Sequence, residues 1–142
     1  MDHRLTCVYV DDDPFVRDLV TFNLEAEGID VRVYDSALGV EDHIRAIAPD
    51  LVLLDVMMPG RDGFSVLQSL KSCHDTRSIP VVLLSARASD TEIWQGWQAG
   101  ADYYLTKPFR VDQLVEYLRL AAERGTGVAS GADTGCRREH LE

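Results

Sequence analysis

The sequence predicts an α/β fold, a parallel sheet with helices on both faces. Two observations carry this. Leu51-Val52-Leu53-Leu54 and Val81-Val82-Leu83-Leu84 are short, continuous apolar runs, as expected of strands buried on both faces. Strand-like runs also alternate with helical patterns, five of each, over residues 1–124, and such alternation builds a parallel sheet covered on both sides. The chain's 142 residues are enough for one domain with a sizeable core.

Leu5 to Val10 is the first strand. It runs into Asp11-Asp12-Asp13-Pro14, where Asp13 suits a helix cap and Pro14 the first turn. The first helix spaces Val16, Leu19, Val20 and Leu24 on one side and stops at Gly28. Ile29, Val31 and Val33 alternate with Asp30, Arg32 and Tyr34, a strand with one wet face. A second helix spans about 39–48, closed by Pro49, and the third strand ends at Asp55. A Pro-Gly then Asp-Gly loop follows, and Phe64, Val66, Leu67 and Leu70 mark the third helix. The fourth strand ends at Ser85. Ser89 and Glu92 form a capping-box pattern for a fourth helix, which runs to Gly100. Asp102 to Lys107 is the fifth strand, and Val111, Leu114, Val115, Leu118 and Ala122 line the last helix. From 125 to 142 the composition turns to Gly, Ala, Ser and Thr without period, which is expected of a flexible tail.

A net charge of −10 argues against a nucleic-acid-binding face and for a cationic partner or a bound metal ion. No apolar run reaches the length of a membrane span. The first strand begins too early to leave room for a signal peptide. Cys7, Cys73 and Cys136, odd in number and scattered, suggest neither a disulfide framework nor a metal spacing. A cytoplasmic location is expected. The four histidines, at 3, 43, 74 and 140, lie outside any motif.

Polar residues collect where strands end: Asp11 and Asp12 after the first, Asp55 after the third, Ser85 after the fourth and Lys107 after the fifth. Chemistry in open α/β sheets gathers at this carboxyl edge. Three carboxylates about 5 Å apart repel by roughly 3 kcal/mol per pair at an effective dielectric near 20. One ammonium does not offset that, whereas a divalent cation does, and Mg2+ suits an oxygen-only site.

The chain resembles the receiver domain of two-component response regulators over residues 4 to about 124. The resemblance rests on Val10-Asp11-Asp12-Asp13-Pro14, Asp55-Val56-Met57-Met58-Pro59-Gly60 with Asp62-Gly63, Ser85-Ala86, Gly100-Ala101-Asp102 and Lys107-Pro108-Phe109. It implies a flavodoxin-like, doubly wound (βα)5 fold with sheet order 2-1-3-4-5, and a receiver domain over 1–124. It also implies that Asp55 is the phosphoacceptor. Asp12 would bind Mg2+ directly, Asp11 largely through water, and the Met57 backbone carbonyl and Asp55 would complete the site. Ser85 corresponds to the hydroxyl that contacts a phosphoryl oxygen, Lys107 to the lysine that pairs with Asp55, and Tyr104 to the switch aromatic.

The donor would be a sensor histidine kinase, a phosphotransfer protein or a small acyl phosphate. The chain would be a signalling domain that assists its own phosphorylation and dephosphorylation rather than an enzyme acting on external substrates. Output would pass through the face made by the predicted fourth helix, the fifth strand and the last helix, which would also be the face of any homodimer. The fourth helix, Thr91 to Gln98, carries no basic residue, which departs from the relatives that dimerise there through charged pairs. Met57, two residues past Asp55, offers no hydrogen bond to orient water, so slow self-dephosphorylation is expected.

Two other readings stand beside this one. A hydrolase or phosphatase with an aspartyl-phosphate intermediate usually carries a second acid two residues after the nucleophile, where this chain has Met57. A receiver working only as an unphosphorylated docking module would not need so complete a set of polar residues. A nucleotide- or flavin-binding module lacks support, as no G-x-G-x-x-G or P-loop occurs.

Overall fold

In the computed structural model, residues 4–58, 60–85, 98, 100–107 and 109–125 are described. The elements run β1 (Thr6–Val10), α1 (Pro14–Ala26), β2 (Asp30–Tyr34), α2 (Val40–Ile47), β3 (Leu51–Asp55), α3 (Gly63–Lys71), β4 (Val81–Ser85), β5 (Tyr103–Thr106) and α4 (Val111–Gly125). The helix expected from Ser89 to Gly100, with Trp94 and Trp97, and the tail from residue 126 lie outside the described residues.

All five strands pair in parallel in the order β2-β1-β3-β4-β5. This is the expected doubly wound sheet. Alternation along each strand divides the core in two. Cys7, Tyr9, Leu51, Leu53, Val82 and Leu84 face Val20 and Leu24 of α1 and Leu114, Leu118 and Ala121 of α4. Val8, Val10, Val52, Leu54, Val81 and Leu83 face Val40 and Ile44 of α2 and Val66, Leu67 and Leu70 of α3. Every residue of β3 and β4 is buried, as their unbroken apolar runs require. The chain leaves β1 for β2 over one face and returns to β3 over the other, so β1 and β3 flank the point where the winding reverses.

The local signals act as read. Asp13 caps α1 by accepting the Phe15 and Val16 N–H groups, with Pro14 in the first turn. Gly28, at φ +83°, takes the left-handed conformation that ends the helix.

Three expectations need correction. Leu19, grouped with Val16, Val20 and Leu24 on one side of the first helix, is 45% exposed and lies off the buried stripe. Val33 is exposed, although the alternation placed it on a dry face. β2 is the sheet's edge, and the buried residues of α1, Val20 and Leu24, pack in the cluster that holds Val31 but not Val33. Cys73 is disulfide-bonded, so the cysteines do not argue for a reducing compartment; spacing along the chain does not show which thiols meet.

Candidate functional site

Because β1, β3, β4 and β5 are neighbours, the residues at their ends share one edge of the sheet. Asp11 follows β1, Asp55 and Ser85 end β3 and β4, and Lys107 follows β5. The Lys107 N–H donates to the Ser85 carbonyl at 2.7 Å, which extends the β4–β5 pairing to the rim. Ser85 is fully buried there.

Asp11 is fully buried. Its Oδ1 accepts the Asp13 N–H at 2.9 Å. Its Oδ2 accepts the Tyr9 hydroxyl at 2.8 Å and Lys107 Nζ at 3.4 Å. Asp55, 3% exposed, accepts the Met57 N–H at Oδ1 at 3.3 Å, and Lys107 Nζ stands 3.5 Å from the same oxygen. The ammonium is thus divided almost equally between two aspartates. Asp12 is the most open of the three acids, and one carboxylate oxygen from each of Asp11, Asp12 and Asp55 lies within 4.8 Å of the others.

Burial pushes the Asp55 carboxyl up, the Asp11 charge adds to this, and Lys107 and the Met57 N–H pull it back; the balance is about 7, against 3.8 ordinarily. Three carboxylates against one ammonium leave an excess of negative charge at this edge of the sheet. Oxygen donors in that arrangement fit a hard divalent cation.

The loop after β3 is held from two sides. Gly63 returns so closely that a Cβ there would stand 2.6 Å from the Asp55 carbonyl oxygen, and its N–H donates to the Val56 carbonyl at 2.9 Å. Asp62 caps α3 through the Ser65 N–H. Arg61 reaches across to α2, where its guanidinium makes a two-pronged pair with the buried Glu41. It also donates to the Ala37 carbonyl and to Ser65 Oγ. Burial pushes Glu41 up, but the hydrogen bonds from Arg61 and Ser69 outweigh it and hold the carboxyl below its ordinary value.

Asp11, Asp12, Asp55 and Lys107 therefore come together, with the Met57 backbone beside Asp55 and Ser85 on the same rim. Tyr104 lies half-buried against the α2–α3 side of the core. Sequence reasoning missed Tyr9, Glu41 and Arg61. For Tyr9 a signal existed, since residues two apart in a strand share a face and Tyr9 is two before Asp11.

A family model described as the response regulator receiver domain matches residues 7–119. The chain belongs to that family. The structure is similar to that of a putative response regulator from Chloroflexus aurantiacus, with a TM-score of 0.81 and 29% identity over 85% of this chain and 99% of that one. The receiver domain of the Francisella response regulator 1452 gives a TM-score of 0.73 and 30% identity over 85% and 98%. Among curated proteins, similarity extends to the "DNA-binding dual master transcriptional regulator RpaA" of Synechocystis sp., at 39% identity over 87% of this chain and 51% of the relative. The "Transcriptional regulatory protein CseB" of Streptomyces coelicolor is 40% identical over 89% and 52%. The chain thus spans about half the length of the curated relatives it matches. No described helix is long and apolar enough to cross a membrane.

Proposed function

We propose that this receiver domain accepts a phosphoryl group on Asp55 from the phosphohistidine of a sensor histidine kinase or phosphotransfer protein, or from a small acyl phosphate. A single observation carries the reading: Asp55 ends a fully buried strand with its Oδ1 held between the Met57 N–H and Lys107 Nζ. Attack by an Asp55 oxygen on phosphorus forms the acyl phosphate as the bond to the donor nitrogen or oxygen breaks. The donor group leaves with that electron pair.

Asp12, Asp55 and the Met57 carbonyl would hold Mg2+, with Asp11 acting through water. Bound there, the ion supplies the positive charge that offsets crowding among the acids and charge on the phosphoryl oxygens. Lys107 supplies a second positive charge from within the chain, and the Met57 N–H turns Asp55 toward the donor. Ser85 contacts a phosphoryl oxygen once the group is in place. Tyr104 then turns toward the space that Ser85 vacates, changing the face that carries β5 and α4.

On α1, Phe15, Leu19 and Phe22 stand exposed at 76%, 45% and 73%. Their spacing of four and three residues puts them on one stripe. That stripe begins beside Asp11 and Asp12 and fits the helices of a phosphodonor partner.

The DNA-binding role named for a relative belongs to a protein about twice as long. The net charge of −10 favours an output through protein contacts, including a homodimer on the switched face, over direct contact with nucleic acid. The domain acts as a cytoplasmic phosphoacceptor rather than as an enzyme on external substrates, since Met57 stands where a phosphatase carries its second acid. The test is incubation with acetyl phosphate and Mg2+, followed by intact mass. One phosphoryl adduct, lost in Asp55→Asn, supports the reading. Steady ester hydrolysis without an adduct supports the hydrolase, and no reaction at all supports a docking module.

A further inference from the structure

Asp11 is tied more tightly than a water-mediated metal contact requires. Its Oδ1 is taken by the Asp13 N–H, and its Oδ2 is shared by the Tyr9 hydroxyl at 2.8 Å and Lys107 Nζ at 3.4 Å. Tyr9 itself has little freedom, because its side chain is fully buried in the core on the α1–α4 side. The strand alternation that buries the ring also brings Asp11 to its side, so the hydroxyl lies at a fixed point next to the acid.

We propose that Tyr9 is a positioning residue for the metal site, its hydroxyl holding Asp11 in place so that Lys107 remains available to Asp55. The inference rests on the metal reading above. Lys107 Nζ stands 3.4 Å from Asp11 and 3.5 Å from Asp55, so a small bias decides which acid it serves. Without the Tyr9 hydroxyl, Oδ2 keeps Lys107 as its cationic partner. The ammonium then moves toward Asp11, and the carboxylate turns with it, away from Asp12 and Asp55. Groups that orient metal-site carboxylates from behind typically change metal affinity by about tenfold or more when removed.

Tyr9→Phe keeps the ring and deletes only the hydroxyl. Calorimetric titration of the full chain with MgCl2 is expected to give a dissociation constant raised about tenfold in this variant. The stabilisation that a fixed Mg2+ concentration adds in a thermal melt should shrink to match. In an Asp11→Asn background the same substitution should change Mg2+ affinity less than twofold. A merely structural hydroxyl would lower the melts with and without Mg2+ equally and leave the dissociation constant unmoved, which would overturn the inference. A full tenfold effect persisting in Asp11→Asn, or tighter binding in Tyr9→Phe, would also overturn it. A wild-type chain that binds no Mg2+ would overturn the metal reading and this inference together, whereas wild-type affinity in Tyr9→Phe would overturn the inference alone.

Discussion

Replacing Asp55 by Asn should make the metal-free domain more stable, and the gain should depend on pH. Burial and the neighbouring Asp11 hold the Asp55 carboxyl at about 7 in the folded chain, against 3.8 ordinarily. The folded state therefore binds a proton that the unfolded state has released, so raising the pH from about 4 to 7 costs stability. Above pH 7 the full cost is present, ~4 kcal/mol for a displacement of about three pH units. Solvent screening at the open rim cuts that figure to about half, and Asn removes what is left, a net gain of about 2 kcal/mol in which the pull of Lys107 is already counted. For a domain of this size that is about 8 °C in Tm. Melts in EDTA should show the variant about 8 °C above wild type at pH 8, with the gap closing as the pH falls toward 4. Saturating Mg2+ should narrow the gap at pH 8 by stabilising the wild type. A variant no more stable than wild type at pH 8, or a gap that widens in acid, would refute the reasoning.

Further expectations follow from the same geometry. Phe22→Asp, on the exposed stripe of α1, should slow phosphotransfer from a cognate kinase at least tenfold, about 1.4 kcal/mol, and leave labelling by acetyl phosphate unchanged; equal losses with both donors would count against the docking role. Arg61→Met strands the buried Glu41 carboxylate and should cost about 3 kcal/mol in urea unfolding. The double variant with Glu41→Leu should recover much of that, and no recovery would contradict the pairing account. Gly63→Ala drives a methyl into the Asp55 carbonyl, so it should cost about 1–3 kcal/mol and weaken Mg2+ binding; an unchanged Mg2+ titration would show that the loop's close return does not shape the site. Met57→Asn should speed loss of the phosphoryl group once formed, as followed by the decay of the adduct mass; an unchanged lifetime would remove Met57 from that role.

Much of the fold was legible because parallel strands buried on both faces leave an unbroken apolar signature. β3 and β4 announced themselves that way, and the polar residue ending each run marked the rim. Asp11, Asp55, Ser85 and Lys107 could be placed together once the strands were known to be neighbours, a step that rested on family resemblance. What stayed hidden depended on contacts between elements. Glu41 and Arg61 lie on a helix and a loop 20 residues apart, and they meet only because Gly63 lets the loop fold back. Tyr9 read as one more core residue, since composition does not show where a phenol's hydroxyl points. Val33 looked buried by alternation, yet the edge position of β2 leaves it open.

The central claim is that crowded acids, offset by a metal ion and one amine, make Asp55 a phosphoacceptor. The most direct measurement is the rate of labelling by acetyl phosphate as a function of Mg2+ concentration, in wild type and Asp12→Asn. The account predicts saturable labelling that vanishes in EDTA and, in Asp12→Asn, needs far more Mg2+. Labelling of Asp55 at the same rate in EDTA, or an Asp12→Asn titration that overlays the wild type, would contradict it.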